Sequence, residues 1–340
     1  MTYAWKPLVG VVHFVAALTP ANNDGSAHGR RGRQTMKILQ AGYPKSGNYW
    51  VYSLLLETLK RSGPPLNGYI KNHSIQQLAK NWMLGVPDQN LIDVVDIKNS
   101  LIMARISHFF YEPIKDINQY MKNVSIVWTH SAYNKGFADF ANMFDKVIYI
   151  VRDPRDVAIS MAHYTHSPYR KQFLLPDEAT PEETLNRHFV RYISGWTYHV
   201  AKQLIGINDI NVDVYFLFYE RLKENFEEEY DTLLSFLAID LPESARWEVS
   251  QAVRADQMRK KAPGHVRQAK ASQWGDVLNR RQKQYARLIA GPLLKLLHYP
   301  DVPSATTMPF LPKKIPSAPL RRALRRAYIA RGLYLLSEEL

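Results

Sequence analysis

The sequence predicts a three-layer α/β fold, a mainly parallel β-sheet flanked by helices, and three observations carry that expectation. Beyond Met36, short β-branched or apolar runs alternate with longer amphipathic stretches, the pattern of βαβ units that lay helices over a parallel sheet. Four of the short runs end in a polar cluster that opens a loop or helix. The first of them passes through a glycine-bounded loop straight into a helical pattern. The 340 residues, 46% hydrophobic and 22% charged, suffice for one large core.

Taken in order, the apolar run Pro7–Leu18 is too short to span a bilayer and is interrupted by His13. It makes a poor signal sequence, because only Lys6 precedes it and Asn22–Gln34 is polar and rich in Gly and Arg. Residues 1–35 therefore read as a disordered extension, with Met36 directly before the first strand. The strands are Lys37–Ala41, Val124–Thr129, Lys146–Val151 and Asn211–Phe218. Ligands of open α/β sheets bind beyond the carboxyl ends of the strands, so the four polar clusters should converge on one site.

Between the first two strands, Pro64–Lys122 carries helical patches at Ser74–Leu84 and Pro113–Tyr120, broken by Gly63-Pro64-Pro65 and Val86-Pro87. With the loop Met161–Pro181 this insertion is expected to line a substrate pocket walled by Phe109, Phe110, Tyr111, Tyr164 and Tyr169. The α/β domain is drawn at 36–300, followed at 301–340 by a Pro-rich linker and a basic amphipathic tail. In that tail Arg321, Arg322, Arg325 and Arg326 share one helical face, with Leu320, Leu324 and Tyr328 on another. Such a helix suits packing on the domain's own surface, or contact with an anionic membrane surface or partner.

Lys and Arg outnumber Asp and Glu by 44 to 31, a net charge of +13, so the surface field attracts anions without choosing among nucleotides, lipids, glycans and nucleic acid. The absence of cysteine excludes disulfides, thiolate metal sites and cysteine nucleophiles.

The loop after the first strand reads Gly42-Tyr43-Pro44-Lys45-Ser46-Gly47-Asn48-Tyr49-Trp50, and Val51, Leu54, Leu55 and Leu59 then follow helical spacing as far as Gly63. Such a loop turns successive backbone N–H groups toward a helix N-terminus, where phosphate or sulfate oxygens are held. Asn48 is suited to cap the helix. The fold is thus P-loop-like, but an ATP or GTP loop places Lys and then Ser or Thr after the second glycine. Here Asn48 and Tyr49 stand there, so the magnesium-binding hydroxyl is missing. The plainer alternative is a tight turn with an incidental lysine.

The third strand ends in Arg152-Asp153-Pro154-Arg155-Asp156. Asp153 as N-cap and Pro154 at the first helical position start a helix. Arg152 and Ser160, about two turns along, form a natural clamp for a terminal phosphate; the alternative makes the arginines ion-pair partners of Asp153 and Asp156. The strand Val124–Thr129 delivers His130, followed by Ser131, Tyr133 and Asn134, to the same sheet edge. A histidine there is either a general base for an acceptor hydroxyl or a satisfied loop residue.

Together these segments resemble the cytosolic-type sulfotransferase family, whose loop reads Tyr-Pro-Lys-Ser-Gly-Thr-Thr-Trp and whose second signature is Arg-Asp-Pro-Arg-Asp-Val followed by a serine. The corresponding runs are Tyr43–Trp50 and Arg152–Val157 with Ser160, within a resemblance spanning Lys37–Tyr299. It implies 3′-phosphoadenosine 5′-phosphosulfate as co-substrate and no metal. It also implies that Lys45 binds the oxygen bridging phosphate and sulfonate, while Ser46, Gly47, Asn48 and Tyr49 wrap the phosphosulfate. Trp50 would stack near adenine, Tyr219 would reach the nucleoside, and Arg152 and Ser160 would hold the 3′-phosphate. Lys45, His130 and Ser160 form the implied catalytic set, with His130 as base.

A third family signature, Arg-Lys-Gly-x-x-Gly-Asp-Trp, is similar to Arg267–Trp274 only at its two ends. It would make Arg267 a 3′-phosphate ligand and bring Gln268 and Ala269 over the nucleotide; otherwise the segment is a basic solvated loop. Other departures are Asn48 and Tyr49 in place of two threonines, and Trp128 where many members have lysine. Arg254 and Ala255, upstream of Met258, are assigned no adenine contact.

The implied reaction is in-line transfer of sulfonate to a hydroxyl or amine of an unidentified acceptor, which asks the protein for alignment and preorganised positive charge. A magnesium-dependent P-loop phosphotransferase is the rival enzyme. A basic nucleic-acid module is disfavoured, because the arginines lie at strand ends rather than along one stripe. The expected location is cytoplasmic, peripheral to a membrane where the basic tail binds one.

Overall fold

In the computed structural model, which describes residues 36–173, 176–262, 272–302 and 308–338, seven strands form one sheet. They are β1 (Ile38–Gly42), β2 (Asp93–Lys98), β3 (Leu101–Ile106), β4 (Phe110–Pro113), β5 (Ile126–Thr129), β6 (Lys146–Val151) and β7 (Val214–Phe218). Their order across the sheet is β4-β3-β2-β5-β1-β6-β7. From β2 to β7 every neighbour is parallel, and β3 and β4 extend that edge antiparallel. The expectations placed on residues 1–35 and on Arg267, Gln268 and Ala269 lie outside the described residues.

The central strands are buried on both faces, which is why they read as continuous apolar runs. Along β6, Val147, Tyr149 and Val151 enter one core while Ile148 and Ile150 enter the other, the period of two expected of a pleated strand. The first core is closed by the helices Pro154–Thr165, Pro181–Gly206 and Arg280–Leu296. The second is closed by Asn48–Arg61 and Phe226–Leu237. Three layers result, the outer two built from connections between strands and from the helices Phe226–Leu237 and Arg280–Leu296 that follow β7.

Two differences from the sequence expectations concern the periphery. The insertion was expected to hold helical patches, but its centre is the hairpin β2–β3–β4, and the patches shrink to the short helices Gln76–Ala79 and Ile117–Lys122. The C-terminal helix, Ser317–Glu338, docks along Pro181–Gly206 and Arg280–Leu296. Its buried stripe is Leu320, Ala323, Ala327 and Ala330, because alanines let two helices approach closely. Tyr328 was expected on the apolar face, yet it is 58% exposed, with its ring edge-on to Tyr198 at 5.6 Å. Arg321, Arg322 and Arg325 face outward. No described helix is long and apolar enough to cross a membrane.

Candidate active site

Four strand ends meet at a cavity of about 470 Å³. β1 leads into the loop, which turns back on itself through a hydrogen bond from Ser46 N to Tyr43 O. Two residues hold left-handed backbone, Lys45 (φ 67°) and Gly47 (φ 99°). Gly47 is required twice over, because a Cβ there would also lie 2.6 Å from Cδ2 of Tyr219. Gly47, and not Asn48, occupies the N-cap of Asn48–Arg61, and it offers no side-chain cap. The Asn48 side chain instead turns back, its Nδ2 donating to Tyr43 O (2.9 Å), and the main-chain carbonyl of Asn48 accepts from Gln40 Nε2 (2.8 Å). A helix start without a capping side chain leaves its first N–H groups to an anion. The Ser46 hydroxyl, buried with no hydrogen-bond partner among the described residues, points to the same kind of ligand.

β6 leads directly into Arg152, whose buried guanidinium stacks 4.1 Å from the ring centroid of Tyr219 and donates from Nη1 to Lys45 O (3.1 Å). The two arginines of this segment part company. Arg155 ion-pairs with Asp153 (2.6 Å), lies 3.6 Å over the Trp274 ring and donates to Pro300 O (2.8 Å), all outside the cavity. It is an architectural ion pair, buried rather than on the surface. Asp153 caps the helix through Arg155 N, with Pro154 following it. Asp156 accepts from Trp274 N (2.9 Å), and burial raises its carboxyl to about 6. Trp274, the distal end of the weak third signature, is thereby fixed to the helix that carries Ser160, which itself lines the cavity.

Trp50, Tyr219, Lys223, Ala255 and Met258 line one end of the cavity. Trp50 is held by a hydrogen bond from Nε1 to Val253 O (2.8 Å) and edge contact with Tyr219 at 5.6 Å. Ala255 and Met258 were assigned nothing from sequence; they line the cavity on a helix, Ala255–Lys261, that begins two residues after Val253, the partner of Trp50 Nε1, and only tertiary packing makes that tie.

β5 leads directly into His130, whose Nδ1 lies 2.7 Å from Gly42 O. A carbonyl only accepts, so Nδ1 carries the proton and Nε2 keeps its lone pair. The backbone is fixed in turn: His199 Nε2 donates to His130 O (3.0 Å), and Tyr149 OH donates to His199 Nδ1 (2.7 Å). Burial, followed by the nearby Arg105, His199 and Lys45, holds His130 down to about 3, so the ring is neutral at pH 7. Lys45 Nζ sits 4.3 Å over the Tyr164 ring; burial and the charge of Arg152 lower it to about 7.

At the other end the cavity is lined by Val94, Asp96, Arg105, Ser107, His108, Tyr111, Trp128, Tyr164 and Arg170. Of the aromatics expected as walls, Tyr111 and Tyr164 line it. Tyr169 and Phe109 stand behind His108, at 6.1 and 4.3 Å between ring centroids, and Phe110 packs with Ile70 and Ile106. The cavity thus gathers Lys45, Gly47, Asn48, Tyr49, Trp50, His130, Arg152, Ser160 and Tyr219, with Ser46 buried beneath the loop.

Comparison with known proteins supports one family. Residues 35–287 match the model of the sulfotransferase domain. Mouse sulfotransferase 1 family member D1 is 26% identical over 61% of this chain and 60% of its own length. Bovine sulfotransferase 1A1 is 31% identical over 34% of this chain and 38% of its own. The matched stretches thus span less than two thirds of these relatives. Among solved structures, mouse sulfotransferase SULT7A1 complexed with PAP aligns over 73% of this chain and 80% of that one, at 19% identity and a TM-score of 0.47. Retinol dehydratase with androsterone and PAP aligns over 76% and 80%, at 17% identity and 0.48. With residues 35–287, more than half of the chain, matched by the family model, the chain belongs to the sulfotransferase domain family.

Proposed function

We propose that this cavity binds 3′-phosphoadenosine 5′-phosphosulfate and transfers its sulfonate to an acceptor hydroxyl. The observation that carries this reading is the meeting of Lys45, His130, Arg152 and Ser160, from three separate strand ends, on one cavity. The uncapped helix start takes the 5′-phosphosulfate, with Ser46, Gly47, Asn48 and Tyr49 around it. Arg152 and Ser160 take the 3′-phosphate, and Trp50 and Tyr219 flank the nucleoside. Arg267, Gln268 and Ala269 are assigned to the nucleotide on the family resemblance alone.

In the transfer, the acceptor oxygen bonds to sulfur while the bond from sulfur to the bridging oxygen breaks. His130 Nε2 takes the hydroxyl proton, which its fixed tautomer permits without rearrangement. Lys45 meets the charge that develops on the leaving phosphate oxygen. No step requires a group from outside the chain and its two substrates.

Calorimetric titration with adenosine 3′,5′-bisphosphate tests this, because Lys45 reports on what arrives. At pH 8 a lysine lowered to about 7 is mostly uncharged, and a phosphate beside it favours the charged form and raises its pKa. Binding should therefore take up close to one proton at pH 8, read from the dependence of the enthalpy on buffer ionisation heat, and less at pH 6.5 where Lys45 is already charged. Lys45→Met should abolish the uptake. No binding, or uptake that survives in Lys45→Met, would count against the donor assignment.

A further inference from the structure

The charges around the cavity are not evenly shared between its two ends. Its lining holds the cations Lys45, Arg105, Arg152, Arg170 and Lys223 and, among the described residues, the carboxylates Asp96 and Asp156. Lys45, Arg152 and Lys223 lie on the side read above as the donor's, and Asp156 is engaged there by Trp274 N. At the other end Asp96 is taken by Arg105, whose Nε donates to Oδ1 at 2.9 Å while Nη1 donates to Ser107 O at 3.1 Å. One carboxylate thus answers one guanidinium, and Arg170 is a second guanidinium at that end.

Arg170 is held in place by its own short helix, Pro168–Lys171, whose cap Ser167 accepts from Arg170 N. Its guanidinium lies 6.0 Å from the centroid of the Tyr164 ring, the same ring that carries Lys45 Nζ at 4.3 Å. The positive field is felt locally: after burial, Arg170 is the cause that lowers the pKa of His108, a cavity-lining neighbour. An arginine at the wall of a half-enclosed cavity, with His108 on the same wall, can donate paired hydrogen bonds to an oxyanion. A neutral apolar acceptor would leave that guanidinium desolvated without return.

We propose that the acceptor carries, besides the hydroxyl that receives sulfonate, an oxyanion group such as a carboxylate, and that Arg170 recognises it. The proposal rests on reading the cavity as a sulfonate-transfer site and names the acceptor class for it. Arg170 is then a specificity residue, with Arg105 neutralised by Asp96 and serving to position the wall.

The test uses two phenols of similar size, 4-hydroxyphenylacetate and the neutral 4-(2-hydroxyethyl)phenol, titrated at constant ionic strength into protein already saturated with adenosine 3′,5′-bisphosphate. The carboxylate should bind about tenfold tighter or better, the return on one charge-assisted hydrogen-bonded contact. Arg170→Ala should bring the two ligands level, Arg170→Lys should retain part of the preference, and neither should change affinity for the bisphosphate. Equal binding of both phenols, binding of neither, or a preference that survives Arg170→Ala would overturn the proposal. So would loss of bisphosphate affinity in Arg170→Ala, which would move Arg170 to the donor. Failure of the wild-type protein to bind the bisphosphate at all would instead sink the donor reading itself, so the two failures are distinguishable.

Discussion

His130→Ala should lower turnover by about 10²- to 10⁴-fold while leaving affinity for adenosine 3′,5′-bisphosphate within a few-fold of wild type. The ring faces the cavity with its Nε2 lone pair because Gly42 O holds Nδ1–H, and the Tyr149–His199 pair holds the backbone from behind. Removing it deletes the proton acceptor and frees Gly42 O, while the turn from Tyr43 to Ser46 and the anchors of Arg152 stay in place. The pH profile adds a second readout. A neutral imidazole is the active form, and a depressed pKa keeps it neutral, so acid must reach well below the ordinary histidine range before protonation stops the reaction. With His130 at about 3 in the empty site and raised once the anionic donor is bound, kcat should stay level from pH 8 to 6. A bell centred on an ordinary histidine, or a variant with normal turnover, would remove His130 as base.

Arg152→Ala should weaken the bisphosphate by about 2 to 5 kcal/mol, roughly 30-fold to several thousandfold in Kd, the cost of removing one member of a desolvated charge pair. Three anchors hold Arg152 at the cavity: the Tyr219 ring at 4.1 Å, the Lys45 carbonyl at 3.1 Å, and its place directly after β6. Its loss also removes the charge that, after burial, holds Lys45 down, so the proton uptake at pH 8 should shrink in the same variant. Arg152→Lys keeps a charge but loses the planar fork and the stacking, and should recover only part of the affinity. Calorimetry on the three proteins measures all of this. Unchanged affinity in Arg152→Ala would mean that the 3′-phosphate, or the whole nucleotide, lies elsewhere.

How far the sequence could be read follows from where each signal originates. β1, β5, β6 and β7 were legible because parallel strands buried on both faces carry unbroken apolar runs such as Val147–Val151. β2, β3 and β4 were not. Leu101 is 43% exposed and Tyr111 50% exposed, so the alternation that marks a strand is blurred at this edge, and the β2–β3 turn at Asn99-Ser100 lacks the glycine that signals a hairpin. Asp96, Arg105, Ser107 and His108 went unseen with those strands. The donor end was more legible, since a strand, a tight loop and a helix start are local features with local residue requirements. Even there the division of labour between Arg152 and Arg155 was open. It is settled by Trp274 and Pro300, 119 and 145 residues beyond Arg155, which no local pattern reports.

A crystal structure of the protein with adenosine 3′,5′-bisphosphate tests the donor assignment most directly. The 5′-phosphate should sit on the backbone from Ser46 to Tyr49 beside Lys45, the 3′-phosphate between Arg152 and Ser160, and the base against Trp50, leaving His130 Nε2 facing the open end of the cavity. A nucleotide bound away from that loop, or with its 3′-phosphate clear of both Arg152 and Ser160, would contradict it.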